Sequence, residues 1–362
     1  MTRRPEIDAF RGVLLLVMAL THLPTRASEY ANQALGFVSA AEGFVFLSAF
    51  VASSVYSRLL RDQGPREARR RAGLRAVRLY GCHLALLSFT FTVGAALATH
   101  MGRPALLNLL SFYFSEPVWA LPSAVVLLYQ PPLLDILPMY VVFVALTPWA
   151  LEIAQNRGWW RLLGLSAALW LAAQLGAGTF VYEKLSLAIG WPVPPEALGA
   201  FDWLAWQLLW VMGLCCGANP GKVTPSLPAV PSSRYIIGVA LAAAVFFFAW
   251  RHQFGGRWFG LGDEPRVLDK WHLGPLRLVN FAAWAILTST LVLPVFARLR
   301  VGTLSLLGRA SLPVFVTHLL VCITSLGVVV DGAGSLRLAQ EIGVLAASLA
   351  SMLFVAWRHR FE

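Results

Sequence analysis

The sequence predicts an all-α protein: a polytopic transmembrane helical bundle of about ten transmembrane helices, with both termini cytoplasmic. Three observations predict it. Hydrophobic residues fill 58% of the 362 positions and charged residues only 13%, whereas soluble domains are about one quarter charged. The apolar residues recur in ten separate runs of membrane-relevant length. Lys and Arg crowd into alternate connections between those runs, as cytoplasmic loops require.

In order, the runs are Phe10–Leu23, Gly36–Tyr56, Leu79–Thr99, Asp135–Ile153, Leu162–Phe180, Trp203–Gly217, Tyr235–Trp250, Leu276–Phe296, Ser311–Val330 and Leu338–Trp357. The first is short. Fourteen residues rise roughly 21 Å against about 30 Å of hydrocarbon, which predicts a helix inside the bundle and not facing lipid. It carries Arg11 and His22 and has no small-residue cleavage site, so it does not read as a signal peptide. The whole of 1–362 reads as one integral-membrane domain. The Pro- and Ser-rich stretch 218–233 reads as a cytoplasmic linker between the sixth and seventh spans.

With the N-terminus inside, 20 of the 29 Lys and Arg residues and six of the 18 acids lie on the inner side. The inner side is then +14 and the outer side −3, which accounts for the net +11 without a nucleic-acid partner. The loop Arg58–Arg78 holds eight of the inner cations. It reads as a topology anchor on anionic lipid, or as an attractor for a phosphorylated donor. Cys82, Cys215, Cys216 and Cys322 all sit in apolar runs without metal-ligand spacing, so they read as buried thiols. Gly217-Ala-Asn-Pro-Gly221-Lys222 is not a phosphate loop: its glycines are too close together and Val223 replaces the required hydroxyl residue.

The chemistry-bearing residues are polar groups at membrane depth. Asp8, Arg11 and His22 fall on one face of the first span, with Arg11 and His22 about 16 Å apart. Intramembrane charge is costly and marks function by default, although an interfacial Asp8–Arg11 ion pair would also account for part of the stripe. Glu42 starts the second span at the depth of His22. It is expected to bond His22 and fix its tautomer, which leaves the other ring nitrogen free to act as a general base. Asp135 and Asp202 head the fourth and sixth spans, while Asp269, Lys270 and Arg277 lead into the eighth. Arg309 and His318 begin and centre the ninth. The outer loops Gly102–Leu134 and Gln253–Pro275 mix Trp, Tyr, acids and amides, the composition of a sugar-binding surface and also of an interfacial aromatic belt.

Several stretches resemble the OpgC family of integral-membrane acyltransferases, within the type-3 acyltransferase superfamily. They are Glu6-Ile-Asp-Ala-Phe-Arg-Gly12 with His22, Ala41-Glu-Gly-Phe-Val-Phe-Leu-Ser48, Gln130-Pro-Pro-Leu-Leu-Asp-Ile-Leu-Pro-Met-Tyr140, Trp206-Gln-Leu-Leu-Trp210, Asp269-Lys270 with Leu273-Gly-Pro-Leu-Arg277, and Leu307-Gly-Arg309 before Ser311-Leu-Pro-Val-Phe315. Ala49-Phe50 departs from the Gly-Tyr expected after Ser48. The resemblance implies a bacterial inner-membrane enzyme that moves an acyl group, succinyl for this family, from cytoplasmic acyl-CoA to a hydroxyl of a periplasmic glucan or other carbohydrate. No tightly bound cofactor and no metal is expected. On this reading His22, Glu42, Arg11 and Asp8 are catalytic, and Asp135, Asp202, Asp269, Lys270, Arg277, Arg309 and His318 bind substrates. The competing class, a polysaccharide or lipid-linked sugar transporter or flippase, would carry an inverted repeat with broken helices. The first span has no clear partner in the second half.

Overall fold

A computed structural model of the chain describes residues 4–218, 234–253, 266–299, 301–329 and 335–360. Among the described residues all regular structure is helical. In chain order the helices are α1 (Pro5–His22), α2 (Ala27–Ala31), α3 (Ala40–Phe89), α4 (Ala95–Met101), α5 (Pro104–Leu109), α6 (Ser111–Ser115), α7 (Pro117–Val125), α8 (Ile136–Arg157) and α9 (Trp159–Gln174). They continue as α10 (Ala177–Ile189), α11 (Trp203–Gly217), α12 (Arg234–Arg251), α13 (Pro275–Leu287), α14 (Leu293–Leu299), α15 (Gly302–Arg309), α16 (Ser311–Val328) and α17 (Ser335–Arg358). Single π-helical turns, Thr90–Gly94 and Thr288–Val292, join α3 to α4 and α13 to α14.

Among the described residues each of the ten apolar runs lies mostly on helix. By length and composition six helices suffice to cross a membrane, or up to seven if the bent α9–α10 pair is one span. The longest, Ala40–Met101, is broken at Gly64, whose φ is +81°. Pro65 removes a backbone donor and keeps the residue before it out of the helical region, and Gly64 takes the left-handed turn that results. The run Leu162–Phe180 is not one straight helix: α9 and α10 meet at 70°. Gly176 there has φ +79°, and the Gln174 amide, two residues earlier, donates to the His272 carbonyl at 2.5 Å. The linker 219–233 and the loop residues Trp258, Asp263 and Glu264 lie outside the described residues.

Helix α1 begins on Pro5, whose missing N–H costs nothing at a helix start, and ends at His22 because Pro24 follows the extended Leu23. It is packed among α3, α14, α15 and α16. Between helices in a bilayer the hydrophobic drive is weak, and small residues supply close approach instead. A Cβ on Gly308 would collide with the Asp8 carbonyl, and one on Gly12 with the Leu304 carbonyl. These two glycines let α15 lie against the first half of α1 and carry Arg309 to the end where Asp8 and Arg11 sit. Gly213 and Gly217 do the same for α11, against the Phe46 and Phe50 carbonyls of α3. Ala49 and Phe50 are buried in that α3–α11 seam, with the Ala49 methyl facing Gly213. The departure from Gly-Tyr is therefore a packing change between two helices.

The segment α5–α7 doubles back along the second arm of α3. Tyr113 stacks on Phe91 at 4.5 Å, and the Tyr80 hydroxyl donates to the Val125 carbonyl at 2.8 Å. This return brings Gln130 and Asp135 beside the loop that precedes α11. The Gln130 N–H donates to the Ala197 carbonyl at 2.9 Å, and the Ala200 N–H donates to Asp135 Oδ2 at 3.1 Å.

Candidate active site

Helices α1 and α16 run parallel and are tied by polar side chains at both ends. At one end the Arg11 guanidinium donates to Ser311 Oγ at 2.8 Å and pairs with Asp8 at 4.0 Å. At the other, Cys322 Sγ donates to the His22 carbonyl at 2.8 Å. Both pairs are 300 residues apart in sequence, so the two helices stay in register over the intervening three turns, about 16 Å. Asp8, Arg11 and His22 share one face of α1. Ser311, Phe315, His318 and Cys322 share the facing stripe of α16, at the three- and four-residue steps of a helix.

Between these ties, His22 Nδ1 lies 3.2 Å from His318 Nε2, with the two rings stacked at 5.5 Å. One of those nitrogens must carry the shared proton. His318 Nδ1 is buried with no hydrogen-bond partner among the described residues. A proton on His318 Nδ1 leaves Nε2 to accept from His22 Nδ1–H, and His22 Nε2 is then bare. A bare imidazole nitrogen at the end of a helix is a proton acceptor for an incoming hydroxyl.

At the Arg11 end two cavities connect. A cavity of about 310 Å³ is lined by Arg11, Ser48, Tyr140, Trp210, Ser311 and Phe315. It shares Arg75, Arg309, Ser311 and Leu312 with a wider recess of about 690 Å³, whose rim adds Arg78 and His359. Three arginines on one rim make an electrostatic funnel for a polyanion. The inner cavity ends at Phe315, whose ring stands edge-on to His318 at 4.9 Å. The basic rim therefore opens past Arg11 into a cavity that ends against Phe315, the ring packed on His318.

Glu42 is placed differently from the expectation. It does not reach His22. Its Oε1 accepts from Arg277 Nε at 2.5 Å, and its Oε2 accepts from the Ser39 N–H at 3.0 Å and the Ser39 hydroxyl at 2.5 Å. Ser39 and Glu42 form a capping box that starts α3. Glu42 and Arg277 are both 0% exposed. Arg277 also leans on Gln33 and the Leu268 carbonyl. The pair joins α3, α13 and the loop after α2 as a structural clamp.

The remaining residues gather at the His22 end. Lys270 lies within electrostatic range of both His22 and Asp135, and its ammonium sits over the Trp271 ring at 4.5 Å. Asp202 caps α11, accepting from the Leu204 and Ala205 N–H groups at 2.8 and 3.2 Å. Asp269 bonds the Trp271 N–H at 2.9 Å and the His272 imidazole, while the other His272 nitrogen lies 3.9 Å from Asp202. The Asp269 bond raises His272 above its ordinary value against the opposing effect of burial. Burial pushes Asp269 up, but the His272 and Trp271 bonds outweigh it and hold the carboxyl low. His272, Asp202, Gln130, Tyr182, Glu196 and Trp203 line an open basin of about 560 Å³. Its mixture of rings, amide and carboxylates suits a carbohydrate. Among the described residues no cluster of three metal-ligating side chains occurs.

The structure thus brings Asp8, Arg11 and Arg309 to one end and His22, His318, Asp135, Asp202, Asp269 and Lys270 to the other, with Glu42 and Arg277 set apart as a clamp. Reading the residues one by one missed Ser48, Tyr140 and Ser311, while Arg75 and His272 lay in the basic loop and the outer loop already singled out. Tyr140 and Ser48 each close one of the motifs quoted above, which was the available signal. Ser39, three residues before Glu42, was the signal for the capping box.

Among known proteins, a family model described as OpgC protein matches residues 3–361. No curated protein and no solved structure matches the chain. A match across essentially the whole chain shows membership: this protein belongs to the OpgC family.

Proposed function

We propose that the protein is a ten-span acyltransferase of the bacterial inner membrane, with both termini cytoplasmic, that moves an acyl group from cytoplasmic acyl-CoA to a hydroxyl of a periplasmic glucan. The observation that carries this reading is the α1–α16 ladder. It joins a basic recess at the Arg309 end to a proton-accepting histidine and a sugar-type basin at the other. The positive-inside distribution assigns the Arg309 end to the cytoplasm. Arg75, Arg78 and Arg309 receive the donor phosphates, Arg11 lines the way, and the thioester reaches His22. Family membership makes succinyl the first acyl group to test.

The reaction is a single displacement at carbon. His22 Nε2 takes the proton of an acceptor hydroxyl, and the oxygen adds to the thioester carbonyl. Lys270 stabilises the oxyanion. The carbon–sulfur bond then breaks, and the departing thiolate takes the proton back from His22. The products are an ester and free CoA. His318 is a positioning residue that accepts from His22 Nδ1–H throughout. Asp202, Asp269 and His272 shape the acceptor basin, and Asp135 fastens its rim to the head of α8.

The test is mass analysis of a neutral glucan after incubation with purified protein and a panel of acyl-CoAs. The expected result is a mass increment equal to one acyl group, absent with His22→Ala. Export of unmodified glucan by the reconstituted protein would instead support a transporter.

A further inference from the structure

The inner cavity holds two hydroxyls that its own walls satisfy at most in part. Tyr140 is 8% exposed, and its ring is fixed edge-on to Trp210 at 5.5 Å and beside Phe44 at 6.1 Å. Its hydroxyl is buried without completing a hydrogen bond of good geometry, and so is Ser48 Oγ. The two lie within reach of each other, a bond between them would use only one of the two O–H groups, and Arg11 lies close enough to act on Tyr140 electrostatically. By contrast, the neighbouring polar groups Trp210 Nε1 and Thr147 Oγ1 bond each other at 3.1 Å, and the Thr147 hydroxyl also donates to the Phe143 carbonyl at 2.7 Å. Leaving a buried hydroxyl unpaired costs about 1–3 kcal/mol, so the O–H that the Tyr140–Ser48 pair has left over calls for a polar occupant of the cavity. The rest of the wall is aromatic and aliphatic, which suits an extended chain that carries isolated polar groups.

We propose that the Tyr140 and Ser48 hydroxyls form a subsite for the amide groups of the donor's pantetheine arm. The inference rests on the acyl-CoA reading and goes beyond it by naming what reads the arm. The cavity runs from the basic rim to Phe315, the ring packed on His318, and on the acyl-CoA reading the arm enters it. A hydroxyl can donate to an amide carbonyl or accept from an amide N–H, and two adjacent hydroxyls cover both. Recognition here holds the arm at a fixed depth and so sets where the thioester stops.

The test is calorimetric binding to the full-length protein in detergent or nanodiscs with two probes, CoA and adenosine 3′,5′-bisphosphate. The second carries phosphates but no amide. Tyr140→Phe and Ser48→Ala each remove one hydroxyl and keep the wall in place. Each variant is expected to weaken CoA roughly five- to twentyfold and to leave the bisphosphate unchanged. Arg309→Ala is expected to weaken both probes. Unchanged CoA affinity in both hydroxyl variants overturns the subsite while the donor reading stands. An equal loss for the two probes also overturns it. If the parent protein binds the bisphosphate but gains nothing from the arm of CoA, the subsite is wrong. If it binds neither probe, the donor reading falls with it.

Discussion

Replacing His318 tests how the base is oriented. His318→Leu removes the acceptor 3.2 Å from His22 Nδ1 and keeps an apolar side chain against Phe315. When His22 takes the hydroxyl proton it becomes an imidazolium, and its Nδ1–H then makes a charge-assisted bond. Such bonds contribute about 1.5–3 kcal/mol, so kcat is expected to fall roughly 10- to 150-fold. The donor KM is expected to stay near the parental value, because His318 lines neither of the two cavities proposed for the donor. His318→Gln offers a carbonyl oxygen near the former Nε2 position and is expected to recover most of the loss. The assay is the initial rate of acyl transfer by purified protein at saturating acceptor, with donor varied. Parental kcat in His318→Leu, or a loss in His318→Gln as deep as in His318→Leu, would refute the assignment of His318 as the partner that sets the His22 tautomer.

Three further outcomes follow from the same geometry. Arg309→Ala is expected to raise the donor KM about tenfold with kcat little changed, and the parental KM is expected to climb with ionic strength, since a partly screened charge on the rim acts mainly on capture. Glu42→Ala leaves Arg277 buried without its carboxylate and is expected to cost about 3–5 kcal/mol of stability, read as a lowered Tm; the double variant Glu42→Leu with Arg277→Leu is expected to recover much of it, and both are expected to keep His22-dependent transfer in whatever fraction folds. The His272–Asp269 pair has a defined pH window. His272 titrates above its ordinary 6.5, so its contribution is present below that value and lost as pH rises through the raised one. Asp269 titrates below its ordinary 3.8, so its contribution is present above that and lost as pH falls through the lowered value. The Tm difference between parent and His272→Ala is therefore expected to be greatest between these limits and to shrink on both sides. A difference that grows steadily above pH 7 would contradict the pairing.

Much of the fold was legible because membrane helices announce themselves. Runs of about 20 apolar residues allow little but helix in lipid, and among the described residues all ten runs lie mostly on helix. Where the reading failed, a local backbone or side-chain event decided. Gly176 takes a left-handed conformation and turns α10 away by 70°, which hydropathy averaged over a window does not register. The candidate site was legible to the extent that helix periodicity applies. Asp8, Arg11 and His22 on one face followed from spacing, and the face is the one that meets α16. The partner of His22 was not legible. Depth along neighbouring helices made Glu42 reasonable, but depth does not fix the rotation of a helix about its axis. Glu42 turns instead to Ser39 and Arg277, and the imidazole meets His318, 296 residues away. Long-range pairing of that kind rests on which helices pack together, and here α1 is tied to α16 at Arg11–Ser311 and at His22–Cys322.

The central claim is that donor and acceptor chemistry meet across one helix pair from opposite sides of the membrane. The most direct measurement uses sealed vesicles with the protein in one orientation, acyl-CoA only on the side of Arg309, and glucan only on the side of His272. The account predicts acylated glucan in the acceptor compartment, free CoA in the donor compartment, and neither product with His22→Ala. Product that forms only when donor and acceptor share a compartment, or that forms equally with His22→Ala, would contradict it.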